Sequence, residues 1–476
     1  MKKYLALALG VIFTLGFAAS AFAIMAEIPE GTQAVVAAGT RITLNGIWMM
    51  SGKYLHAADL NQSTALENAN DNATDYGGYV SVLLLADISK DTQGFLSFVT
   101  VRPNWIVGDT YATNPPGVLA VGNSRKGPVM LGQAWIQHKS DMLGFPAGIK
   151  IGHMPLSVGN GVFFKHTPYG DDAIVLFFDP TKEVHAVLST AKLSEGGIAG
   201  STLGAGTGTI NPTVNDDADV YAASLAYKGK DFNLSGDYTV VNDQMRGIDT
   251  NGALVTNLTS GDHGMRLNNL GLRGDATFGN LNVSADVELQ SGKTAYENSS
   301  IKHKGRAYVL GASYTLSPAT ALSLNYVYGS GDDNSADNDN NVFVTSVSGG
   351  EGTAAMTYVY DSSVVTATGL KKTTIANTAY IKAGVAHNLT KDLKATLSYF
   401  VLRASKLNSS AAINGLTTHL SKKIGSELDA QITYAINKNL MYVVEGGYLW
   451  TGKFYDSTTL AAGNVYSLMH RISLRF

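Results

Sequence analysis

Most of the chain repeats one pattern, in which a run of alternating apolar and polar residues is followed by a break. The run 281–290, which reads LNVSADVELQ, is the clearest, and comparable runs occupy 231–243, 263–277 and 422–436. Successive side chains of a β-strand point to opposite faces of the sheet. Each run therefore predicts a strand with one apolar and one polar face, and the repetition predicts one large sheet.

The breaks between the runs alternate in length. Short breaks such as 89–91, 278–280 and 317–320 contain the Gly, Pro, Asn and Asp residues of tight turns, whereas long polar stretches such as 330–370 lie between them. Counting the runs predicts about eighteen strands, or sixteen if the poorly alternating pair 147–156 and 172–179 is omitted. Both numbers are even, which places both ends of the sheet on the rim of the short turns.

The predicted fold is an all-β, transmembrane, antiparallel up-and-down β-barrel. Every backbone polar group inside a bilayer must be paired, so a sheet with an apolar outer face has to close on itself. The reverse arrangement, a soluble barrel with an apolar interior, fails because about eighteen strands enclose more space than side chains can fill. The apolar set is therefore predicted to face lipid and the polar set to face a water-filled lumen.

The polar set supplies the candidate pore-lining residues, which include acids and bases. They are Asp87, Arg102, Asp237, Arg273, Asp275, Asp286, Glu288, Lys382, Lys394, Glu427, Asp429, Glu445, Arg471 and Arg475. Two interpretations remain open for each. The charge either keeps the wall of the water-filled lumen solvated, or it lies at the narrowest part of the pore and contributes to the preference for cations or anions.

The first residues have the organisation of a signal peptide. Lys2 and Lys3 precede the apolar stretch 4–17, and Ala-Phe-Ala at 21–23 has the form of a cleavage site. The alternative is an N-terminal membrane anchor, for which the apolar stretch is short. The predicted domains are thus a signal peptide at 1–23, a short periplasmic leader at 24–39 and a transmembrane barrel at 40–476.

Composition narrows the chemistry further. The absence of cysteine excludes disulfides, cysteine-ligated zinc, iron–sulfur clusters and covalently attached haem. The net charge of −3 gives no reason to expect a nucleic-acid partner. The histidines lack metal-ligand spacing, and the acidic stretch 330–341 lacks the spacing of a calcium-binding loop. The sequence therefore predicts no catalytic site, no metal and no cofactor.

The terminal strand, 464–476, carries the most specific motif. Its alternation gives one largely apolar face, interrupted by His470, and the chain ends on the aromatic residue Phe476. This ending resembles the C-terminal signature strand of outer-membrane β-barrels. The resemblance implies that Phe476 is an assembly signal for the barrel-assembly machinery. With an even number of strands, the terminal strand is predicted to pair with the strand near 41–51 and to close the barrel.

The third long loop is predicted at 157–171 and is unusually aromatic. Its candidate constriction residues are Phe163, Phe164, Lys165, His166, Tyr169 and Asp171. Exposed loops rarely contain so many aromatic residues, so this one is predicted to pack against other parts of the protein. Here the chain resembles the Gram-negative outer-membrane porin family, whose third loop commonly folds into the barrel and narrows it. An extracellular cap packed on neighbouring loops is the alternative.

The resemblance implies a bacterial outer-membrane porin, which is a channel and not an enzyme. Small hydrophilic solutes or ions would diffuse passively through it, with outer-membrane lipid and lipopolysaccharide around it and a homotrimer as the candidate assembly. One alternative is the barrel sheath of an electron-transfer conduit, with a cytochrome in the lumen. Another is a barrel enzyme, such as a lipase or protease, for which the sequence offers no nucleophile–base pair.

Overall fold

The structure is a computed structural model, and it describes the strands, the short turns and parts of the long loops. The described residues are 34–37, 40–56, 72–100, 105–106, 129–141, 143–194, 217–244, 247–248, 254–255, 264–296, 299–334, 337–347, 357–360, 375–407, 420–456 and 462–476. The predicted signal peptide, most of the leader and the candidate residue Arg102 lie outside them.

The described residues form eighteen long strands in chain order, and each pairs antiparallel with the next. They are β1 Thr40–His56, β2 Asn72–Asp87, β3 Thr92–Thr100, β4 Val129–Ser140, β5 Ala147–Ser157, β6 Phe164–Phe178, β7 Val184–Ser194, β8 Ala218–Lys228, β9 Phe232–Asp243, β10 Gly264–Phe278, β11 Leu281–Tyr296, β12 Arg306–Ser317, β13 Thr320–Gly329, β14 Thr378–Asn388, β15 Leu393–Ala404, β16 Lys423–Ala435, β17 Leu440–Thr451 and β18 Val465–Arg475. Shorter strands lie at Ala34–Ala37, Trp105–Ile106, Gly247–Ile248, Leu254–Val255, Ser299–His303, Asp339–Asn340 and Ser346–Val347.

Strand β18 pairs with β1, and this pairing closes the sheet into a barrel. The predicted eighteen-stranded β-barrel is therefore confirmed, including β5 and β6, which alternate poorly in sequence. No helix in the described part of the chain is long and apolar enough to cross a membrane.

The two faces of the strands differ as the alternation predicts. On β9, Leu234 and Tyr238 point outward and are 55% and 48% exposed. Asp237 and Thr239, the residues on either side of Tyr238, point inward and are buried. The same arrangement holds on β16, where Ile432 is exposed and Glu427 and Asp429 are buried. Apolar side chains therefore form the outer surface that suits lipid, and polar side chains face inward.

The C-terminal residue takes part in closing the barrel. The N–H of Gly46 donates to the carbonyl of Phe476 at 2.8 Å, and the N–H of Phe476 donates to the carbonyl of Gly46 at 3.1 Å. The Phe476 ring lies directly over Gly46, where a Cβ atom would overlap with it. The outward-facing His470 packs in the same way, over Gly52 and beside the rings of Tyr76 and Tyr442.

Replacing Gly46 with alanine is expected to displace the Phe476 ring and to slow closure of the barrel. The matched control is Gly236→Ala on β9, also outward-facing, where the nearest side-chain atom would lie 3.3 Å from the new Cβ. Refolding into detergent can be followed by the faster electrophoretic migration of the unheated, folded barrel. Equal refolding rates of the two variants would show that the contact between Gly46 and Phe476 does not affect closure of the barrel.

Candidate channel constriction

The connection between β5 and β6 differs from the predicted long loop. Strand β6 begins at Phe164, so only the segment 158–163 connects the two strands. The predicted bounds of the loop, 157–171, are therefore wrong. Within the predicted set, only Phe163 belongs to this connection. The other five residues lie on β6; these are Phe164, Lys165, His166, Tyr169 and Asp171. The side chain of Tyr169 lies outside the described part of the structure.

The reason for the error is a break in the pairing of β5 with β6. Met154 pairs with Asp171, but the next pair is Leu156 with His166, so the residues between Asp171 and His166 have almost no partners on β5. Gly170, with φ of +77°, lies in this bulge, in a conformation that favours glycine. The ends of the two strands therefore form a separate hairpin, 155–166, which leaves the barrel wall.

The aromatic residues of this hairpin are packed, as the sequence predicts. Phe163 and Phe164 are 2% and 1% exposed, and the Phe164 ring stacks on the His166 ring with 4.3 Å between centroids. Nδ1 of His166 lies 2.7 Å from Oδ2 of Asp171 and ties the hairpin to the barrel wall. The hairpin is therefore packed against the barrel wall, with its aromatic rings buried.

That position is set by a charged network on the inner face of β9, β10 and β11. The Arg273 guanidinium donates from Nε to Asp286 at 3.0 Å, from Nη2 to Glu288 at 2.5 Å, and from Nη1 to Asp237. All four side chains are at most 6% exposed. Gly271 lies between them, where a Cβ atom would overlap with the network. One guanidinium and three carboxylates give the network a formal charge of −2.

The tip of the hairpin rests on this network. The Asn160 side-chain amide donates to Asp286 at 2.8 Å, across 126 residues of sequence. Gly159, with φ of +56°, lies against the Arg273 guanidinium, and a Cβ atom there would occupy the same space as the guanidinium carbon. The hairpin carried by β5 and β6 thus reaches inward to β10 and β11.

A second inward segment, 357–360, binds the carboxylates of β16. Glu427 accepts the backbone N–H groups of Val359 and Tyr360 at 2.7 and 2.9 Å. Asp429 accepts the N–H of Tyr358 at 3.0 Å. Glu427 is fully buried by these contacts. Three backbone N–H groups thus donate to two inward side chains of the same strand, and these hydrogen bonds anchor the segment to the wall.

Side-chain contacts extend this anchoring to the neighbouring strands. Ser467 of β18 donates to the Tyr358 carbonyl at 3.2 Å, and Gln431 of β16 donates to the Tyr358 hydroxyl at 3.0 Å. Burial, with smaller contributions from Glu445 and Asp429, raises the pKa of Tyr358 above its usual range. The phenol therefore stays protonated at neutral pH and adds no charge to the lumen.

A third contact connects the long loop after β13 to the hairpin. Ser346–Val347 pairs in parallel with Phe164 and Lys165. Val344 exchanges two hydrogen bonds with the side chain of Gln290, at 2.9 and 2.7 Å, and Phe343 is fully buried. Segments from two different loops thus meet inside the barrel, and the sequence reasoning identified only one of them.

The predicted pore-lining residues divide into two groups. Those buried on the inner face are Asp237, Arg273, Asp286, Glu288, Glu427, Asp429 and Glu445. Those that are partly or fully exposed are Asp87, Asp275, Lys382, Lys394, Arg471 and Arg475. The carboxylates of the first group accept hydrogen bonds from Arg273, from backbone N–H groups or from neighbouring amides. Their contribution to the lining of the pore stays a prediction. Arg102 remains untested.

One buried inward cation escaped the sequence reasoning because β5 alternates poorly. Lys150 is 5% exposed, and its ammonium lies 3.7 Å from the centroid of the Trp135 ring. That ring stacks on Phe95 at 5.0 Å. The inner wall on this side is therefore aromatic, in contrast to the carboxylates around β9 to β11 and on β16.

Two cavities lie beside the hairpin. The larger, of about 200 Å³, lies between residues 155–159 and the inner wall of β6 to β9. The smaller, of about 50 Å³, lies between Asn160 and the wall of β8 to β12. Both are lined by Ala226, Ser235 and Arg273, so they meet at the charged network.

Solved barrels share this fold at low sequence identity. Pseudomonas aeruginosa OpdK, solved with vanillate, is 9% identical with a TM-score of 0.53, covering 91% of this chain and 98% of its own. P. aeruginosa OccK2 (OpdF) is 11% identical with a TM-score of 0.52 and the same coverage. The outer-membrane protein OprD of P. aeruginosa is 8% identical with a TM-score of 0.51, covering 91% of this chain and 93% of its own. No curated protein matches the sequence.

The sequence itself matches a described family. The model of that family, described as alginate export, matches residues 212–467, which is more than half of the chain. Together with the closed barrel and its apolar exterior, the match identifies a porin-type channel of the bacterial outer membrane. The chain belongs to the alginate export family.

Proposed function

We propose that the protein is a passive diffusion channel for small hydrophilic solutes, narrowed in the lumen by two segments of its own chain. The observation that carries this proposal is the anchoring of the hairpin tip to Arg273 and Asp286, and of 357–360 to Glu427 and Asp429. The segments cover part of the inner wall, and cavities remain beside the hairpin. A pore with such a constriction selects solutes by size and charge, without chemistry or energy coupling.

The family description raises alginate, a polymer of sugar acids, as a candidate solute. Two features of the described lumen favour small solutes instead. The hairpin and the segment 357–360 obstruct a wide path, and the network beside the hairpin has more carboxylates than cations. A polyanion would meet both the obstruction and the excess negative charge.

The sheath of a cytochrome conduit is the alternative from another functional class. A cytochrome would need the central space of the barrel. The inward segments are attached to that wall by buried hydrogen bonds, which would all have to be broken to admit a cytochrome. The structure therefore gives a reason to prefer the solute channel.

Liposome swelling tests the proposed function directly. Purified protein in liposomes should admit uncharged monosaccharides quickly, disaccharides more slowly and an oligomer of uronic acid hardly at all. Rapid entry of the oligomer would favour polyuronate transport. Absence of swelling with every solute, from protein that migrates as a folded barrel, would contradict the proposal.

Replacing Glu427 with glutamine is expected to loosen the segment 357–360. The amide offers one oxygen in place of two, so one of the two backbone N–H groups loses its acceptor. Leaving a buried N–H group without its acceptor costs about 1–3 kcal/mol. Cleavage by chymotrypsin after Tyr358 or Tyr360 should become roughly ten- to hundredfold faster, because 1.4 kcal/mol corresponds to about a factor of ten.

The control for this prediction is Asp87→Asn, which removes a partly exposed carboxylate at the rim of the short turns. Its cleavage rate should match that of the unmodified protein. A Glu427→Gln variant that is as resistant as the control would show that the carboxylate does not hold the segment.

A further inference from the structure

We propose that solutes cross the constriction away from the barrel axis, between the hairpin 155–166 and the inner wall of β7, β8 and β9. Ser224, Ser235 and Arg273 would then be the residues that select them. This inference rests on the proposed channel function. It adds the position of the path, the residues that a solute touches and the charge that the path favours.

The cavities define the path. The larger one lies on the outer side of the hairpin, between residues 155–159 and the wall, and not at the centre of the barrel. The smaller one continues from it past Arg273 towards Asn233 and Asp275, which lie nearer the rim of the short turns. The two together give a solute a way past the tip of the hairpin.

Small side chains on the wall leave the space for this path. Ser189 of β7 pairs with Ala222, and Ser235 of β9 pairs with Ala226, so two pairs of small inward residues lie four residues apart along β8. Ser224 lies between Ala222 and Ala226 on β8. Inward positions on β14 and β15 are occupied by the rings of Tyr380 and Phe400, which are buried and fill the space there.

The chemistry of the wall indicates which solutes pass. Ser189, Ser224 and Ser235 offer hydroxyl groups that can donate and accept hydrogen bonds, which suits solutes rich in hydroxyl groups. The charged network at the junction of the cavities has three carboxyl groups, those of Asp237, Asp286 and Glu288, and one guanidinium, that of Arg273, so its field is acidic. A confined space strengthens this field. The path therefore favours uncharged, hydroxyl-bearing and cationic solutes over anions.

The absence of native cysteine makes the path measurable by chemical modification. Ser224→Cys and Ser235→Cys change one atom each, so both variants should fold into conducting barrels, and the current of each variant before modification is its own reference. Thiol-reactive methanethiosulfonate reagents, one cationic and one anionic, are then added during recordings in planar bilayers. Both variants should lose most of their current after modification. The cationic reagent should react roughly tenfold faster than the anionic one, relative to the same pair of reagents on a free thiol.

Two controls match these variants. Ser97→Cys places a thiol on the inner face of β3, where Ser97 is 1% exposed, and it should neither react nor lose current. Ser89→Cys places a thiol on an exposed short turn, and it should react without loss of current.

Each outcome bears on a different statement. If the unmodified protein does not conduct, the proposed channel function fails. If it conducts but the cysteines at 224 and 235 are unreactive, or react without loss of current, the path lies elsewhere and the inference fails. If modification of these cysteines blocks the current but the anionic reagent reacts as fast as the cationic one, the position of the path is supported and the assigned charge preference is overturned.

Discussion

Replacing Arg273 with methionine is expected to destabilise the folded barrel by about 3–5 kcal/mol, the usual effect of removing one partner from a buried ion network. Asp237, Asp286 and Glu288 would remain on the inner wall without the guanidinium that binds all three. Urea-induced unfolding in lipid vesicles, followed by tryptophan fluorescence, would give the change in the free energy of unfolding.

The matched control is Arg475→Met, which removes an exposed arginine at the rim of the short turns. Its free energy of unfolding should change by less than about 1 kcal/mol. A second variant, Arg273→Met with Asp286→Asn and Glu288→Gln, removes two of the unpaired charges and should recover part of the loss. A single Arg273→Met variant as stable as the control would contradict the structural role of the network.

Replacing Gly159 with alanine is expected to raise the single-channel conductance, by roughly twofold if the constriction dominates the resistance of the pore. The new methyl group would overlap with the Arg273 guanidinium, so the hairpin tip would have to move away from β10. Single-channel recordings in planar bilayers would measure the effect.

Gly279→Ala is the control for this change. Gly279 also has a positive φ, of +61°, but it lies in a short turn with no atom near the new Cβ. Both variants therefore carry the same unfavourable backbone conformation, and only Gly159→Ala disturbs the hairpin. Equal conductance of the two variants would show that the hairpin tip does not limit the current.

The sequence was sufficient to predict the barrel because its determinants are local. Alternation assigns each strand its two faces, and the turn residues separate neighbours, so pairing follows from chain order. The closing pair is the exception, since Gly46 and Phe476 lie at opposite ends of the chain. It could still be predicted because an even number of strands places both ends on the same rim.

The constriction could not be predicted in the same way, because it depends on contacts between distant segments. Asn160 binds Asp286, and Val359 binds Glu427, across 126 and 68 residues. Alternation correctly placed Asp286 and Glu427 inside the barrel. It carries no information about what covers an inward residue, so a solvated pore wall and a buried anchor give the same pattern.

The predicted end of the third loop was wrong for a related reason. The stretch 164–170 contains a glycine, a proline and a lysine, which are typical of loops. Its aromatic residues indicated packing, but not that part of the packing is β-pairing within an inward hairpin. The buried aromatic residues were thus the useful signal, and the same signal at Phe343 would have pointed to the second loop.

The acidic residues of the lumen have a different role from the one expected of a simple porin wall. Glu427 and Asp286 bind groups of inward segments, so they contribute to the shape of the pore. Burying such charges is unfavourable unless each is paired and hydrogen-bonded. Arg273 and the backbone N–H groups of 358–360 meet that condition.

Single-channel recording of the unmodified protein in planar bilayers tests the central claim most directly. Purified protein that migrates as a folded barrel should produce discrete and reproducible current steps, with a reversal potential in a salt gradient that shows preference for cations. Folded protein that inserts into the bilayer but never produces such steps would contradict a channel narrowed by its own hairpin and loop.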